Sequence, residues 1–494
     1  MADYKHGAYG IIQAVGSRVA DESQGAIVYV GTAPVHNVEG GANNVNKPIV
    51  VNNIAEARKY FGYSDEWDKY TLCEAMHVHL ENKGVGPLVF INVLNPATHK
   101  ASDAGTVSKT PENGRVTIPA AQDIILDSVV VKSDNTTKIK GTDYAIAYNI
   151  EKKTITISEL TAGALGTSAL TITYNTVDAS AVTAADVIGT SDGLGLNTGI
   201  FAIKNVYQLT GYIPAYLAAP GFSSVPAVHA AMYQNSVKVN GHWDVYMFVD
   251  LPIMNSETPL TLDTAKTYKN GNGYTKENET VFFPLAQGTD GKIYHLSVLA
   301  AANFQELLLS QDGIPYKTAS NTDCSLIENL YLGASNTGRV YDDSIINEKL
   351  NKNGIASAAY VGGRWAIWGC HSADYDQENG DQINVAETNR MMLYYISNDF
   401  QHRRTPDVDK PMTANDLQTI IAEEQTRVDA LLNIGALTRG IVTLNADAQA
   451  RSDIMNGDYS FLFDITTTPL AKSLTAIVNW TDEGFVTYFE SVGD

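Results

Sequence analysis

At 494 residues the chain is too long for a single hydrophobic core and implies two to four domains. Its 44% hydrophobic and 18% charged residues exclude an intrinsically disordered chain. With 34 basic against 55 acidic residues the formal net charge is −21, which argues against an electrostatic grip on nucleic acid or on an anionic membrane face.

Cys73, Cys324 and Cys370 are odd in number and widely spaced, which fits a reducing compartment and supplies no disulfide framework. The opening MADYKHGAYG lacks an apolar core before a cleavage site, and no run of membrane-spanning length is continuously apolar. The expectation is synthesis and initial residence in the cytoplasm.

In chain order, residues 7–15 (GAYGIIQAV) are short, apolar and β-prone, and read as an arm or an edge strand. AIVYVGTAP (26–34) is a buried strand closed by Gly and Pro. NNIAEARKYFG (52–62) predicts a helix capped by Asn53 and stopped at Gly62. A second helix is expected over 70–84 and a buried strand over 87–94. From about Lys100 to Ser180 composition shifts to alternating Thr, Val and Ile, as in RVTIP, YAIAYNI and KTITIS, with turn residues between. This is an inserted all-β module, sandwich-like but without immunoglobulin Cys and Trp spacing.

The mixed pattern resumes after Asp186. YIPAYLAAP (212–220), a helix from Ser224 and WDVYMFVDLP (243–252) imply a parallel crossover. GRWAIWG (363–369) is a further strand. Helices follow over 389–401 and 413–435, the latter aligning Leu417, Ile420, Ile421, Val428, Leu431 and Leu432, with Thr413 and Asp416 as its cap and Gly435 as its stop. The chain closes with β patterns at 459–469, 473–481 and 484–492, the last two as a hairpin. Val486 and Tyr488 at β spacing so close to a terminus expect a partner.

Several constellations suggest chemistry. In APGFSSVPAVHAAM (219–232), Ser223 and Ser224 follow a Pro-Gly turn between strand and helix, as a hydrolase nucleophile would. The nucleophile elbow needs glycine two residues either side of the serine, and Val225 breaks it. The plainer reading makes Ser224 a helix cap with Pro226 in the first turn. Cys73 and His77 stand one helical turn apart with His79 nearby, but no second ligand pair has zinc spacing, which leaves a partly buried cysteine and surface histidines. Asp374, Asp376 and Glu378 begin like a calcium loop, yet Asn379 and Val385 occupy its Gly and Glu positions. Gly193, Gly195 and Gly199 miss dinucleotide spacing by one residue and read as loop glycines. Arg403 and Arg404 are too few for a phosphate site. No catalytic residue, cofactor site or metal site is expected.

Taken in order, the segments resemble contractile-tail sheath proteins of bacteriophages and phage-tail-like bacteriocins. GAYGIIQAVGSR with AIVYVGTAP looks like the family's arm and first core strand. IPAYLAAPGFSSVPAVHAAM through DVYMFVDLP is similar to its most recognisable block. GGRWAIWGCHS (362–372), the helical segment 384–435 and FLFDITTTPLAKSLTAIVNWT match its C-terminal part. Family members often carry arginine and threonine after the Trp-Gly, where Cys370 and His371 stand here.

Together with the inserted all-β sandwich-like domain read from composition, the resemblance implies an α/β and α+β multidomain fold with a central α/β sheath core and extended N- and C-terminal β arms. The implied segments are an arm at 1–24, core at 25–99, insertion at 100–186, central domain at 187–362, C-terminal α+β domain at 363–473 and arm at 474–494. It further implies a non-enzymatic subunit that polymerises as a helical cylinder around a tail tube and contracts to drive the tube through an envelope. Partners would be copies of itself, the tube protein, and baseplate and tail terminator proteins, without direct nucleic-acid or membrane contact. Assembly would occur in the bacterial host cytoplasm, into a virion tail or phage-tail-like particle.

The arms would link subunits through Tyr9, Ile11, Val15, Val486 and Tyr488. Glu423, Glu424 and Asp429 of the 413–435 helix would face the tube. Two other classes remain: a serine hydrolase, discriminated by a phosphonate probe, and an exported surface-layer protein, discriminated by an export signal.

Overall fold

The computed structural model describes residues 18–19, 25–134, 136–333, 339–376, 378, 380–445, 451–483 and 485. Two compact units divide the chain, Met1–Pro411 and Met412–Asp494. Strand 364–368 and helix 387–404, grouped with 413–435 in the sequence reading, belong to the first.

An eight-stranded sheet organises the first unit. Its strands are β1 (Ala26–Gly31), β2 (Ile49–Val51), β3 (Leu88–Asn92), β4 (Pro214–Ala218), β5 (Tyr246–Asp250), β6 (Glu279–Phe282), β7 (Ile355–Val361) and β8 (Arg364–Trp368). Their order across the sheet is β8-β7-β6-β5-β4-β1-β3-β2. All neighbours from β3 to β7 run parallel, while β2 and β8 close the edges antiparallel. Strands sealed on both faces need apolar residues at every position. This is why AIVYVG and LVFIN are buried throughout. After β3 the chain returns to the other side of β1 to begin β4, so the winding direction reverses between β1 and β4.

Helix α1 (Ile54–Phe61) starts where Asn53 Oδ1 accepts from the Glu56 amide at 3.0 Å. It ends at Gly62, whose φ of +74° suits glycine and whose Cβ would lie 2.6 Å from the Pro34 carbonyl. Helix α2 (Leu72–Ala75) continues as a π-helix over Met76–Lys83 and stops at left-handed Gly84. Helices α3 (Pro226–Ser236), α4 (Leu262–Gly271) and α5 (Leu296–Ser310) follow β4, β5 and β6. Phe304 of α5 packs edge-on against Tyr216 of β4, at 5.0 Å between ring centroids, and at 5.8 Å from Phe248 of β5. Helix α6 (Glu387–Arg404) completes the labelled helices of this unit.

The Thr-rich stretch forms a three-stranded and a four-stranded antiparallel sheet. Alternation points Val116, Ile118, Ile155 and Ile157 of one, and Val131, Leu170 and Ile172 of the other, into one separate core. Its ends meet through Ala101 N to Thr176 O at 2.9 Å and Asp178 N to His99 O at 3.0 Å, the geometry of an insertion through one loop.

In the second unit, α7 (Ala414–Asn433) carries the expected capping box of Thr413 and Asp416, and Gly435 ends the turn at φ +77°. Its buried face holds Ile420, Glu424, Val428 and Leu431. Strands β9 (Leu437–Leu444) and β10 (Phe461–Thr467) pair antiparallel. Gly440 of β9 lies so close to α7 that a Cβ there would sit 2.1 Å from Val428 Cγ1. Among the described residues, 473–481 form no strand, and the hairpin partner expected at 484–492 lies outside the described residues apart from Phe485.

Candidate functional site

The turn after β4 places its two serines differently from expectation. Ser224 does not cap α3. Val225 occupies the cap position, Pro226 is the first helical residue, and Ser224 Oγ donates to the Gly221 carbonyl at 3.5 Å. Pro226 removes an amide from the first turn, which lessens the need for a side-chain cap. Ser223 is fully buried, its Oγ accepting from the Asp250 amide at 3.2 Å and its carbonyl from Tyr274 Oη at 3.1 Å. His229 is committed to Glu279 at 2.6 Å and stacks on Tyr274 at 4.0 Å. Among the described residues neither serine is hydrogen-bonded to a histidine, and the buried one is sealed from substrate. The turn is a brace between β4, β5 and α3.

In doubly wound sheets, ligands occupy the crevice at the carboxyl ends of the strands where winding reverses. That crevice lies here between β1 and β4, and side chains fill it. A Cβ on Gly31, at the end of β1, would meet Thr71 Oγ1 at 2.3 Å, and one on Gly221, beyond β4, would meet Thr71 Cγ2 at 3.0 Å. Behind Thr71, Glu74 of α2 is wholly buried and takes two hydrogen bonds from His295: its amide to Oε1 and its Nδ1 to Oε2, each 2.6 Å. Asp250, at the end of β5, accepts from the Ser297 amide at 3.0 Å and from its hydroxyl. Two carboxylates thus bind amides at the N-terminus of α5, where the helix dipole favours negative charge.

Burial would lower the His295 pKa, but the Glu74 carboxylate, its hydrogen bond and Asp250 outweigh this and raise it to about 9. Burial raises the Asp250 pKa, partly countered by His295 and Ser297. A charged, internally satisfied cluster stands where a ligand would otherwise sit.

Cys73, His77 and His79 do not converge on an ion. Cys73 is fully buried, and burial pushes its thiol up to about 12, so it is no thiolate ligand. His77 faces Glu81 at 2.9 Å. His79, expected at the surface, is instead fully buried between β1 and α5. Gln305 Nε2 donates to the Pro87 carbonyl at 2.7 Å, which orients the amide so that its oxygen accepts from His79 Nδ1 at 2.6 Å. His79 Nε2 then accepts from Tyr29 Oη at 2.7 Å. The ring is held neutral, and burial lowers its pKa to about 4.

Among the described residues, no group of three His, Cys, Asp or Glu is arranged to hold a metal ion, and no helix is long and apolar enough to cross a membrane. Asp374 bonds to Asn384 Nδ2 at 2.5 Å, Arg403 to Asp399 at 3.0 Å and Arg404 to Asp407 at 3.3 Å.

The assembly candidates divide three ways. Tyr9, Ile11, Val15, Val486 and Tyr488 lie outside the described residues. On α7, Glu423 and Asp429 are exposed, whereas Glu424 is 1% exposed and shares the inner face with Ile420 and Val428. Glu424 is therefore not displayed for a tube. Before the C-terminus, Leu474, Ile477, Val478 and Trp480 are 81–91% exposed, an uncovered apolar run. Beside it in sequence, β9 and β10 form a sheet of only two strands, each paired to no strand but the other among the described residues.

Sequence reasoning missed Glu74, His295, Asp250 and the Tyr29–His79–Gln305 chain. Their partners stand 221, 47, 50 and 226 residues apart, and no local pattern carries that signal.

Comparison with known proteins finds this architecture similar to that of contractile sheath proteins. No family model matches the chain. In sequence it is 29% identical over 258 residues to the tail sheath protein of Burkholderia phage BcepMu, a stretch covering 51% of this chain and 50% of that protein. The chain thus spans about half the length of the curated relative it matches.

The fold is shared much further. A chain of the anti-feeding prophage baseplate aligns with TM-score 0.55 at 12% identity, over 98% of this chain and 100% of that one. The anti-feeding prophage helical sheath in its contracted state aligns at 0.53 and 12% identity, over 97% and 99%. The sheath tail protein of Desulfitobacterium hafniense aligns at 0.51 and 11% identity, over 93% and 100%. The chain has the contractile sheath fold.

Proposed function

We propose that this protein is the repeating subunit of a contractile sheath, a structural rather than catalytic component. It polymerises with itself as a helical cylinder around a tube, joins a baseplate and a tail terminator, and contracts to drive the tube through an envelope. Assembly takes place in the host cytoplasm, into a virion tail or phage-tail-like particle. The observation that carries the reading is the apolar run ending at Trp480, displayed on a chain of net charge −21. An isolated soluble subunit has no use for such a run, whereas a polymer covers it. The filled crevice between β1 and β4 supports the non-enzymatic part.

In this reading the segments 1–24 and 474–494 are linking arms. About 15 extended residues span up to ~50 Å, enough to reach a neighbour. A strand added to the open edge of another copy's β9–β10 sheet contributes main-chain hydrogen bonds of about 1 kcal/mol each. Such a contact joins two different surfaces, so it propagates as rings or helices instead of closing on a two-fold axis. Arms let subunits rotate as rigid bodies without dissociating. The exposed Glu423 and Asp429 are the tube-facing charges.

The test is electron microscopy of the purified protein and of a variant lacking 476–494. Wild type is expected to form hollow striated cylinders and the truncated protein a folded monomer. Normal cylinders from the truncated protein would overturn the linkage. Reversing Glu423 and Asp429 should change binding to tubes and spare sheath-only assembly.

A further inference from the structure

We propose that the glycine loop 189–199 is a second contact between copies of this chain, docking Leu194 and Leu196 on a neighbouring subunit. The loop whose glycines miss dinucleotide spacing is a built structure. Its base closes through Thr198 N to Thr190 O and Thr190 N to Thr198 Oγ1, both 2.9 Å. Asp192 Oδ1 accepts from the amides of Leu194 at 2.7 Å and Leu196 at 3.0 Å. Asn197 is tied to Asn205 at 2.8 Å, and the Gly199 amide to Asn46 at 2.8 Å. Gly193 and Gly195, at φ +74° and +104°, take conformations that only glycine adopts readily, which turns the two leucines outward.

Leu194 is 92% exposed and Leu196 69%. Leu209, one turn beyond Asn205 on the helix Val206–Thr210, is 60% exposed. The ordering of the loop needs no partner, so the exposure of its tip is not a consequence of fraying.

Charge identifies the occupant. Copies of a −21 chain repel one another and approach best through surfaces that carry no net charge. From Val187 to Ile213 only Asp192 and Lys204 are charged, and they cancel. Asp192 is turned onto backbone amides, and the Lys204 ammonium lies 5.2 Å from the Phe201 ring centre. This neutral apolar knob on an acidic chain fits a second copy of that chain. The inference rests on the sheath reading and adds a contact distinct from the arms.

The test uses the full-length protein with Leu194→Ser and Leu196→Ser combined. Because both side chains project into solvent, amide hydrogen exchange across the eight-stranded sheet should stay at the wild-type rate, while the concentration needed for polymerisation rises about tenfold or more. A photo-cross-linking amino acid at position 194 should give a covalent dimer of this chain during assembly. Equal polymerisation of variant and wild type, or a cross-link only to a different protein, overturns the proposal and leaves the sheath reading standing. A wild-type protein that never polymerises, and never cross-links to itself, removes both.

Discussion

Glu74→Gln isolates the cluster that fills the crevice. The change keeps the shape and removes the charge that holds His295 protonated. Relative to an ordinary histidine near 6.5, the raised value of about 9 is worth about 3 kcal/mol at about 1.4 kcal/mol for each tenfold change in acidity. A histidine whose folded pKa is raised stabilises fully below its unfolded pKa and loses that contribution as pH climbs through the folded value.

The loss in Glu74→Gln should therefore be about 3 kcal/mol at pH 6 and shrink steadily towards pH 9.5. The chain has two units, so a global melt is a poor gauge, and local opening is the better one. Hydrogen exchange of the His295 and Ser297 amides, which the two carboxylates bind, reads it directly. Equal destabilisation at pH 6 and pH 9.5 would show that the pair acts by packing alone and would refute the electrostatic argument.

Other expectations follow from the same structure. Burial lowers both His36 and His79 to about 4, so the unfolded chain binds protons that the folded chain refuses as pH falls from 6.5 towards 4, and stability declines over that window. His79→Gln should flatten the decline by up to about 1.4 kcal/mol per pH unit, measured by acid unfolding, although it lowers stability at neutral pH. Gly440→Ala places a methyl against Val428 and should destabilise the second unit by about 1–3 kcal/mol, read as faster exchange in β9 with β1–β8 unchanged. A phosphonate probe should leave Ser223 unlabelled because its side chain is fully buried; stoichiometric labelling would reopen the hydrolase reading.

Local signals in the chain determined much of this protein. Asn53 and Gly62 bracket α1, and Thr413 with Asp416 starts α7, because caps act within one turn. Unbroken apolar runs mark β1 and β3, and Thr-Val-Ile alternation marks the insertion, because burial on two faces or on one imposes those periods. The order of these segments suffices to suggest the sheath fold.

Tertiary structure alone decided what the polar residues do. Nothing near Ser223 distinguishes a sealed brace from a nucleophile until Asp250 and Tyr274 arrive from other elements. Glu424 and Glu423 are adjacent glutamates, and only the packing of α7 buries the first and exposes the second. His79 and His295 have the same side chain and different charge states: burial keeps the first neutral, whereas the Glu74 carboxylate holds the second protonated. Hydrophobic burial repeats with the period of the element and is written along the chain. Charge and hydrogen bonding depend on which distant groups a fold brings within 3 Å, and that is decided in space.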